Sequence, residues 1–514
     1  MNLAQETLKL PPIDYSALAP MLILFGAACV GVLAEAFVPR RLRYPVQLVL
    51  GLAALMAALV MVVQAAGSRT LTAGGAIAVD GPTLFLQGTI AVLAIVALLM
   101  VGERQLESGG SFVAQAAVTV GSPADRQQAS AEPGGTEVFP LALFAVAGMM
   151  LFVSANDLLT MFVALEVFSL PLYLMCGLAR RRRLISQEAA LKYFLLGAFA
   201  SAFFLFGIAM VYGYAGRVDF TAINESVLVS PTSRVLLFAG FAMIAIGLLF
   251  KAAAVPFHVW TPDVYQGAPT AITAFMAACT KVAAFGALLR VLYVGFPRMQ
   301  WEFRGILGVI AVLTMVVGAV LAVTQTDIKR LLAYSSIANA GYLLVGVLGS
   351  NRAGVSSTMF YLLAYGFTVV AAFAVVSLVR DPDGEATHLS RWAGLGRRSP
   401  LYAGVFTFFM LAFAGIPLTS GFTSKFAVFS AAWEGGQAWL VVAGVVASMV
   451  LAFPYLRVVV LMWLSEPGEA TPTVSIPGAL TAATLMIGVV VTLLLGVAPQ
   501  PVLDLTDRAS EFIR

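Results

Sequence analysis

Long apolar runs are the feature of this sequence that most limits its fold. The 514 residues contain about fourteen runs of mainly apolar side chains, each close to the roughly 20 residues that a helix needs to cross a bilayer. Only 11% of the residues are charged, whereas a soluble domain carries about a quarter. We therefore predict an all-α integral membrane protein with about fourteen transmembrane helices. The predicted spans are 18–38, 45–66, 82–102, 138–155, 157–179, 189–214, 235–258, 268–295, 304–325, 327–349, 354–379, 401–432, 437–464 and 477–498.

The basic residues of the loops indicate how these spans are oriented. Clusters follow the odd-numbered spans, and they comprise Arg40, Arg41, Arg43, Arg180, Arg181, Arg182, Arg183, Lys329, Arg330, Arg380, Arg391, Arg397 and Arg398. The loops after even-numbered spans carry fewer basic residues, such as Arg69, Arg217 and Arg352. Because cytoplasmic loops are enriched in Lys and Arg, we expect the clusters in the cytoplasm and both termini outside.

Two predicted spans are interrupted by proline. Span 7 contains Pro256 shortly before His258, and span 12 contains Gly415-Ile416-Pro417. Inside a bilayer such a break survives only where protein or cavity water satisfies the freed carbonyl groups. Because the breaks lie five spans apart, spans 4–8 and 9–13 are predicted to form two inverted five-helix repeats, a plan found in many transporters.

The predicted spans and their two breaks divide the chain into five parts. They are a three-helix segment at 1–102, a flexible cytoplasmic loop at 103–137, the two repeats at 138–295 and 296–464, and a C-terminal helix and tail at 465–514.

Charged residues inside the predicted spans point to proton transfer. Lys251, Lys281 and Lys425 lie well inside apolar runs, Glu166 lies near the middle of span 5, and Lys192 lies near the start of span 6. A charge at the bilayer centre costs about 2.5–3.5 kcal/mol on insertion scales. Burial favours the neutral forms of Glu and Lys, whereas pairing favours the charged forms. We therefore predict proton-transfer sites linked by water into a lateral path; the alternative is that these charges only hold helices together.

For several other polar residues the sequence allows two alternative roles. His258 either relays protons or caps the freed carbonyl groups, and Lys192 either transfers protons or extends toward the membrane surface. A further set either binds channel water or joins helices, and it comprises Ser335, Ser336, Thr419, Ser420 and Tyr342. We interpret Asp327, Lys329 and Arg330 as a solvated loop cluster.

Motifs for nucleotides, metals and electron carriers are missing from the sequence. It has no Gly-rich phosphate-binding loop, and its three cysteines, at 29, 176 and 279, lie apart inside apolar runs. His258 and His388 are the only histidines. We expect no disulfide framework, metal site or cofactor in this chain, and nothing indicates a nucleic-acid partner. The energy for transport must then come from partner proteins or from an ion gradient.

Two long motifs resemble the antiporter-like subunits of respiratory complex I, the NADH–quinone oxidoreductase. Residues 251–270 read KAAAVPFHVWTPDVYQGAPT and are similar to this family's signature for spans 7 and 8, and residues 326–342 read TDIKRLLAYSSIANAGY and are similar to its signature for span 10. The resemblance covers roughly residues 140–465 and implies a proton-translocating subunit of the bacterial inner membrane. It places FMN, iron–sulfur clusters and quinone in partner subunits. Neighbouring antiporter-like subunits, small membrane subunits and membrane lipid are the partners it implies.

Within this family, the Lys425-Phe426 pair resembles the subunit N branch, whereas a glutamate at this point suggests subunit M. An Mrp-type cation/proton antiporter subunit, which shares the fold and the buried lysines, is the close alternative. The resemblance implies that Glu166 and Lys251 are the interacting pair of the first half-channel, Lys281 the central relay, and Lys425 the link to the outer exit. Two departures from the family are Asn339, where many relatives carry histidine, and the longer loop at 103–137.

Overall fold

The structure is a computed structural model dominated by helices. It describes residues 13–106, 110–113, 118, 122–123, 135–229, 233–381, 384–467 and 472–513. The helices are α1 Tyr15–Phe37, α2 Arg40–Gln64, α3 Gly81–Val101, α4 Val138–Ser154, α5 Leu158–Cys176, α6 Arg183–Ala215, α7 Phe220–Val229, α8 Arg234–Ala252, α9 Trp260–Gly267, α10 Thr270–Gly295, α11 Gln300–Thr324, α12 Ile328–Val347, α13 Arg352–Leu378, α14 Pro400–Ala414, α15 Ser420–Glu434, α16 Ala438–Leu464, α17 Ala479–Val497 and α18 Gln500–Arg508. Single helical turns at Ala73–Gly75, Pro297–Met299, Leu389–Trp392 and Leu395–Arg398 are not numbered.

Most of these helices are built to cross a membrane. Among the described residues, 11 helices are long and apolar enough to do so, and α4 and α14 are apolar but shorter. Each predicted span overlaps one helix, except that span 12 covers the pair α14 and α15. The all-α membrane fold is therefore confirmed, while the number of fourteen spans stays a prediction.

The two predicted repeats contain the same local joint. In the first, Asp157 caps α5 and forms an antiparallel bridge with Asp219, which follows α6. In the second, Asp327 caps α12 and forms an antiparallel bridge with His388, which follows α13. The aspartate side chains accept hydrogen bonds from backbone N–H groups of the first helical turn, donors that otherwise lack a partner. The two halves thus share this joint, while the two five-helix repeats stay a prediction.

Both predicted breaks interrupt helices. The first separates α8, which ends at Ala252, from α9, which begins at Trp260. The predicted span 235–258 therefore ended inside the break and left out the second half-helix. The second break separates α14, which ends at Ala414, from α15, which begins at Ser420. The residue that follows the helix is left-handed in both breaks, but it is an alanine in the first and a glycine in the second.

Short strands have no counterpart among the predicted elements. A hairpin of β1 Thr70–Thr72 and β2 Ile77–Val79 connects α2 to α3, and β3 Val379–Asp381, β4 Gly384–Glu385 and β5 Thr473–Val474 form a sheet in the order β4-β3-β5. Most of the predicted loop at 103–137 lies outside the described residues. Of its described part, Val113 donates a backbone hydrogen bond of 2.9 Å to Leu178 at the end of α5.

A candidate proton-transfer site between the helices

Three lysines lie buried between the helices of the bundle. Lys251, Lys281 and Lys425 expose 4%, 4% and 6% of their surface. They belong to α8, α10 and α15, and oxygen atoms of neutral groups hold all three ammonium groups. In the described part of the chain, the lysines that form ion pairs are instead Lys192 and Lys329. Each of these three amines is therefore held by hydrogen bonds and, among the described residues, forms no ion pair with a carboxylate.

Lys251 is held by the hydroxyl groups of a neighbouring helix. Its Nζ donates to Ser169 Oγ at 2.7 Å and to the Tyr173 hydroxyl at 3.3 Å, both on α5. The amine also lies 5.3 Å from the ring centre of Tyr193, which stacks on Trp260 at the start of α9. Aromatic ring faces stabilise a cation without supplying a full charge. Residues of α5 and α6 therefore surround this lysine, and Tyr193 links it to the far side of the first break.

Glu166 also lies on α5, but it does not bond Lys251 of α8 in this structure. Residues 166, 169 and 173 share one side of α5, because positions three and four apart are neighbours on a helix. Lys251 bonds Ser169, one turn beyond Glu166, and no ion pair joins the two charged residues in this structure; their role as an interacting pair stays a prediction. One carboxylate oxygen of Glu166 is buried with no hydrogen-bond partner among the described residues. Ser169 thus lies between the two groups.

Lys281 lies at the centre of α10, directly after a π-helical turn at Met276–Thr280. Its Nζ donates to the backbone carbonyl of Ser336 at 2.6 Å and lies 5.4 Å from the ring centre of Tyr365. The side-chain hydroxyl of Ser336 is buried and has no hydrogen-bond partner among the described residues. The predicted central relay is therefore surrounded by hydroxyl groups.

Lys425 is held mainly by its own broken helix. Its Nζ donates to the carbonyl oxygens of Phe413 at 3.0 Å and Ala414 at 3.2 Å, which the second break frees. A third hydrogen bond of 2.9 Å reaches Ser448 Oγ on α16. The lysine thus satisfies two carbonyl groups that lack helical partners, in addition to any role in proton transfer.

A small cavity lies beside Lys425 on the side of Tyr365. Its volume of about 10 Å³ is close to the space that one water molecule occupies. Asn339 lies at this cavity, and its amide donates to the Ser335 carbonyl at 2.8 Å and accepts from the Tyr361 hydroxyl at 2.6 Å. Residue 339 therefore presents a hydrogen-bonded amide to the cavity.

Buried hydroxyl groups without hydrogen-bond partners accompany the lysines. In the described residues they include those of Tyr193, Thr261, Ser336, Tyr342 and Tyr365. Buried polar groups in native proteins nearly always have a partner, from the protein or from ordered water. These positions can therefore hold water along the lysine row. Of the other hydroxyl groups predicted for this role, those of Ser335, Thr419 and Ser420 already contact protein oxygens.

Two predicted site residues lie apart from the lysine row. Lys192 forms ion pairs of 2.7 Å with Glu188 and Asp263, and 42% of its side chain is exposed. His258 is half-buried in the first break, and its Nδ1 makes no hydrogen bond to a described residue. The structure thus brings Lys251, Lys281 and Lys425 into the bundle core and leaves these two at its edge.

The interpretation of Asp327 and Lys329 as solvated loop residues is wrong. They expose only 7% and 2% of their surface. The sequence pattern misleads because the polar run begins α12, where segments distant in sequence cover it. Lys329 donates to the Ala268 carbonyl at 2.8 Å and lies 3.6 Å from a carboxylate oxygen of Glu385.

Three residues whose hydroxyl groups bind the lysines are not among those predicted from the sequence. Ser169 and Tyr173 follow Glu166 at spacings of three and seven, so helical periodicity could have identified them. Ser448, which binds Lys425, lies on a different helix with no local signal. In the described part of the chain, no group of three or more His, Cys, Asp or Glu residues could hold a metal ion.

Comparison with known proteins identifies the family. A family model described as "NADH:quinone oxidoreductase/Mrp antiporter, TM" matches residues 155–451. The chain is 74% identical to NADH-quinone oxidoreductase subunit N of Salinispora arenicola, over 99% of each chain, and 60% identical to that of Rhodococcus opacus, over 100% of this chain and 99% of the relative.

Two solved structures share the fold. Respiratory complex I from Thermus thermophilus with bound Aureothin contains a chain that is 34% identical, with a TM-score of 0.76, over 94% of this chain and 98% of that one. A chain of the Mrp complex from Dietzia is 23% identical, with a TM-score of 0.80, over 96% of this chain and 97% of that one. The fold and the buried lysines define an antiporter-like membrane subunit. The chain belongs to the subunit N family of bacterial NADH–quinone oxidoreductases, and it is a multi-pass integral membrane protein.

Proposed function

We propose that this chain translocates protons through Glu166, Lys251, Lys281 and Lys425, as the subunit N component of a NADH–quinone oxidoreductase. The observation that carries this proposal is the row of three buried lysines held by neutral oxygen atoms. NADH oxidation and quinone reduction take place in partner subunits, which hold FMN and iron–sulfur clusters. Neighbouring antiporter-like and small membrane subunits adjoin this chain in the complex.

Proton movement along the row follows from what each lysine contacts. A proton from Glu166 reaches Lys251 by way of the Ser169 hydroxyl, which already accepts a hydrogen bond from Lys251. Water between the tyrosine hydroxyl groups carries the proton to Lys281. From there it passes Asn339 and the small cavity to Lys425. Lysine suits each position because its proton affinity responds to burial, whereas arginine stays charged.

The orientation of the chain is part of the proposal. We place the basic loops in the cytoplasm and both termini outside. Ion pairs and hydrogen bonds that join Arg182, Lys329 and Glu385 support this, because they bring loops after odd-numbered spans to one face. Arg69 and Arg352, which precede α3 and α13, both pair with Glu511 near the C-terminus. These contacts bring the loops after spans 2 and 10 together with the C-terminal tail.

An Mrp-type cation/proton antiporter subunit is the second candidate, because a chain of the Dietzia Mrp complex shares this fold. At 23% identity that similarity shows the fold alone, whereas relatives at 74% and 60% carry the subunit N name. The two candidates differ in driving force. Antiport predicts sodium-dependent proton movement without NADH, and the favoured function predicts proton movement coupled to NADH oxidation.

The test replaces Lys281 in the assembled complex and measures protons moved per NADH in membrane vesicles. We expect Lys281→Met and Lys281→Arg both to lower this ratio, because neither side chain can load and release a proton. The arginine variant keeps the positive charge, so it separates titration from a role in holding helices.

Lys192→Met serves as the matched control, since it removes a lysine from α6 that lies outside the buried row. We expect it to leave the ratio of protons to NADH unchanged. An unchanged ratio in Lys281→Arg, with the complex assembled and NADH oxidised normally, would contradict the proposed role of the row.

A further inference from the structure

A polar cavity lies at the face that we place in the cytoplasm. Its volume is about 60 Å³, enough for several water molecules. The exposed Arg181 and Arg182 line it, so it reaches the protein surface, and the buried Lys329 lies at its inner end. Glu385, whose side chain is 21% exposed, lies between the two. This cavity has no role in the lateral row.

Three segments distant in sequence meet at the Lys329–Glu385 ion pair. Lys329 begins α12, Glu385 ends β4, and Thr270 begins α10. The ammonium group lies 3.6 Å from Glu385 Oε2, and the Thr270 hydroxyl donates a short hydrogen bond to the same oxygen. Lys329 also donates to the Ala268 carbonyl at 2.8 Å. A buried amine thus faces a carboxylate that solvent can reach, which is an arrangement that can load protons.

Two helices lead from this ion pair to the central lysine. On α12, Lys329 and Ser336 are seven residues apart, which is about two turns along the same helix face, or roughly 10 Å. The Ser336 carbonyl accepts the hydrogen bond from Lys281. On α10, the buried Thr273 lies between Thr270 and Lys281 in sequence, and its hydroxyl donates to the Tyr265 carbonyl of α9 at 3.2 Å. The Lys329–Glu385 ion pair and Lys281 are therefore joined by α12 and α10, with the buried hydroxyl groups of Ser336 and Thr273 along them.

We propose that Lys329 and Glu385 form the site at which protons from the cytoplasmic side enter the path to Lys281. This inference rests on the proposed function. The Glu385 carboxylate binds a proton from cavity water and becomes neutral, so Lys329 loses its counter-ion. The Lys329 ammonium then releases one proton inward, toward Ser336. Transfer of the proton from Glu385 to the Lys329 amine restores the ion pair, and one proton has moved in.

Other charged groups around the cavity are held in different contacts. Asp327 accepts hydrogen bonds from the backbone of α12 and from Gln266. Glu103 binds Thr481, and Arg182 binds the Glu385 carbonyl oxygen and Thr387. The basic residues Arg180, Arg181 and Arg380 also line the cavity and have partners of their own. Of the acidic groups at the cavity, Glu385 is the one in ion-pair contact with Lys329.

The experiment uses the full complex in inside-out membrane vesicles, whose outer surface is the cytoplasmic face. Glu385→Gln keeps an oxygen to accept from Thr270 but cannot carry a proton. We expect normal NADH oxidation, a loss of membrane potential generated per NADH, and recovery when formate is added, because a small weak acid can deliver protons to the open cavity. A purely structural role predicts a loss that formate does not restore.

Lys329→Arg is the second variant, because it keeps the positive charge and the ion pair but cannot release a proton. We expect it to lose membrane potential per NADH without recovery by formate. Glu511→Gln, which removes an ion-paired carboxylate at the other face, is the matched control and should behave as wild type.

The outcomes separate the two proposals. Normal membrane potential per NADH in Glu385→Gln or in Lys329→Arg, while Lys281→Arg loses it, would overturn the entry site and leave the lysine row in place. Normal values in all three variants would overturn the proposed function itself.

Discussion

The two broken helices hold their lysines by different kinds of hydrogen bond. At the first break, Lys251 lies in the last turn of α8 and bonds side-chain hydroxyl groups of α5, with no bond to the break itself. At the second, Lys425 follows the break and bonds the carbonyl oxygens of Phe413 and Ala414, the last residues of α14. Lysine thus bonds a neighbouring helix at the first break, and the other half of its own broken helix at the second.

This difference separates two tasks that a buried lysine can have. Lys425 satisfies backbone groups that cannot be left unpaired inside a membrane, so the second break depends on its charge or at least on its N–H donors. The first break satisfies a carbonyl group without the lysine, because the Trp260 indole donates to Phe250 at 3.0 Å. Lys251 is therefore free to change its protonation state at lower structural cost.

The two breaks should differ most in how far loss of their lysine lowers the stability of the subunit. Lys425→Met leaves two carbonyl groups of α14 unpaired, at about 1–3 kcal/mol for each buried group. Lys251→Met leaves Ser169 still donating to the Leu165 carbonyl, so we expect less than about 1 kcal/mol of destabilisation. The measurement is the temperature at which this subunit loses solubility in the detergent-extracted complex.

Proton translocation per NADH is measured on the same two variants. We expect both to lose it, since both lysines belong to the row. Equal thermal stability of the two variants would show that the carbonyl bonds of Lys425 contribute little, and the contrast between the breaks would then be lost.

A smaller effect is expected at Gly415, the left-handed residue of the second break, with φ of 86°. An alanine there costs about 1–2 kcal/mol in this conformation. Its Cβ would also lie 3.1 Å from Lys425 Cδ, so the lysine must shift by a few tenths of an ångström. We expect Gly415→Ala to lower the thermal transition and to slow proton translocation.

Gly404→Ala is the matched control, because it lies within the same α14 and its added Cβ meets nothing within 4 Å. It should be neutral or slightly stabilising, since alanine favours a helix over glycine. A Gly415→Ala variant that matches Gly404→Ala in both measurements would show that the backbone of the second break does not position Lys425.

The comparison also shows what the sequence could and could not predict. Proline inside an apolar run predicted both breaks, and lysine inside apolar runs predicted the buried row. The backbone partners of Lys425 could not be predicted, because the Phe413 carbonyl reaches Lys425 only through the left-handed turn at Gly415. The burial of Lys329 could not be predicted for the same reason. Its burial depends on Glu385, which lies 56 residues away, and no local pattern reports that contact.

The smallest expected effect on stability concerns two ion pairs beside the first break. Asp263 on α9 forms ion pairs of 2.7 Å with Lys192 on α6 and with Arg330 on α12. In the described residues of 400–434, which form the second break and its two half-helices, no ion pair is found. Because these side chains are partly exposed, we expect Asp263→Asn to cost about 0–1 kcal/mol. The cost should shrink in high salt, which screens exposed charges.

Thermal transitions of the complex at low and high salt measure this cost, with Asp504→Asn on α18 as the control. A cost well above 1 kcal/mol that salt does not reduce would mean that Asp263 positions α9 by hydrogen bonding, and that the first break is no less dependent on polar contacts than the second.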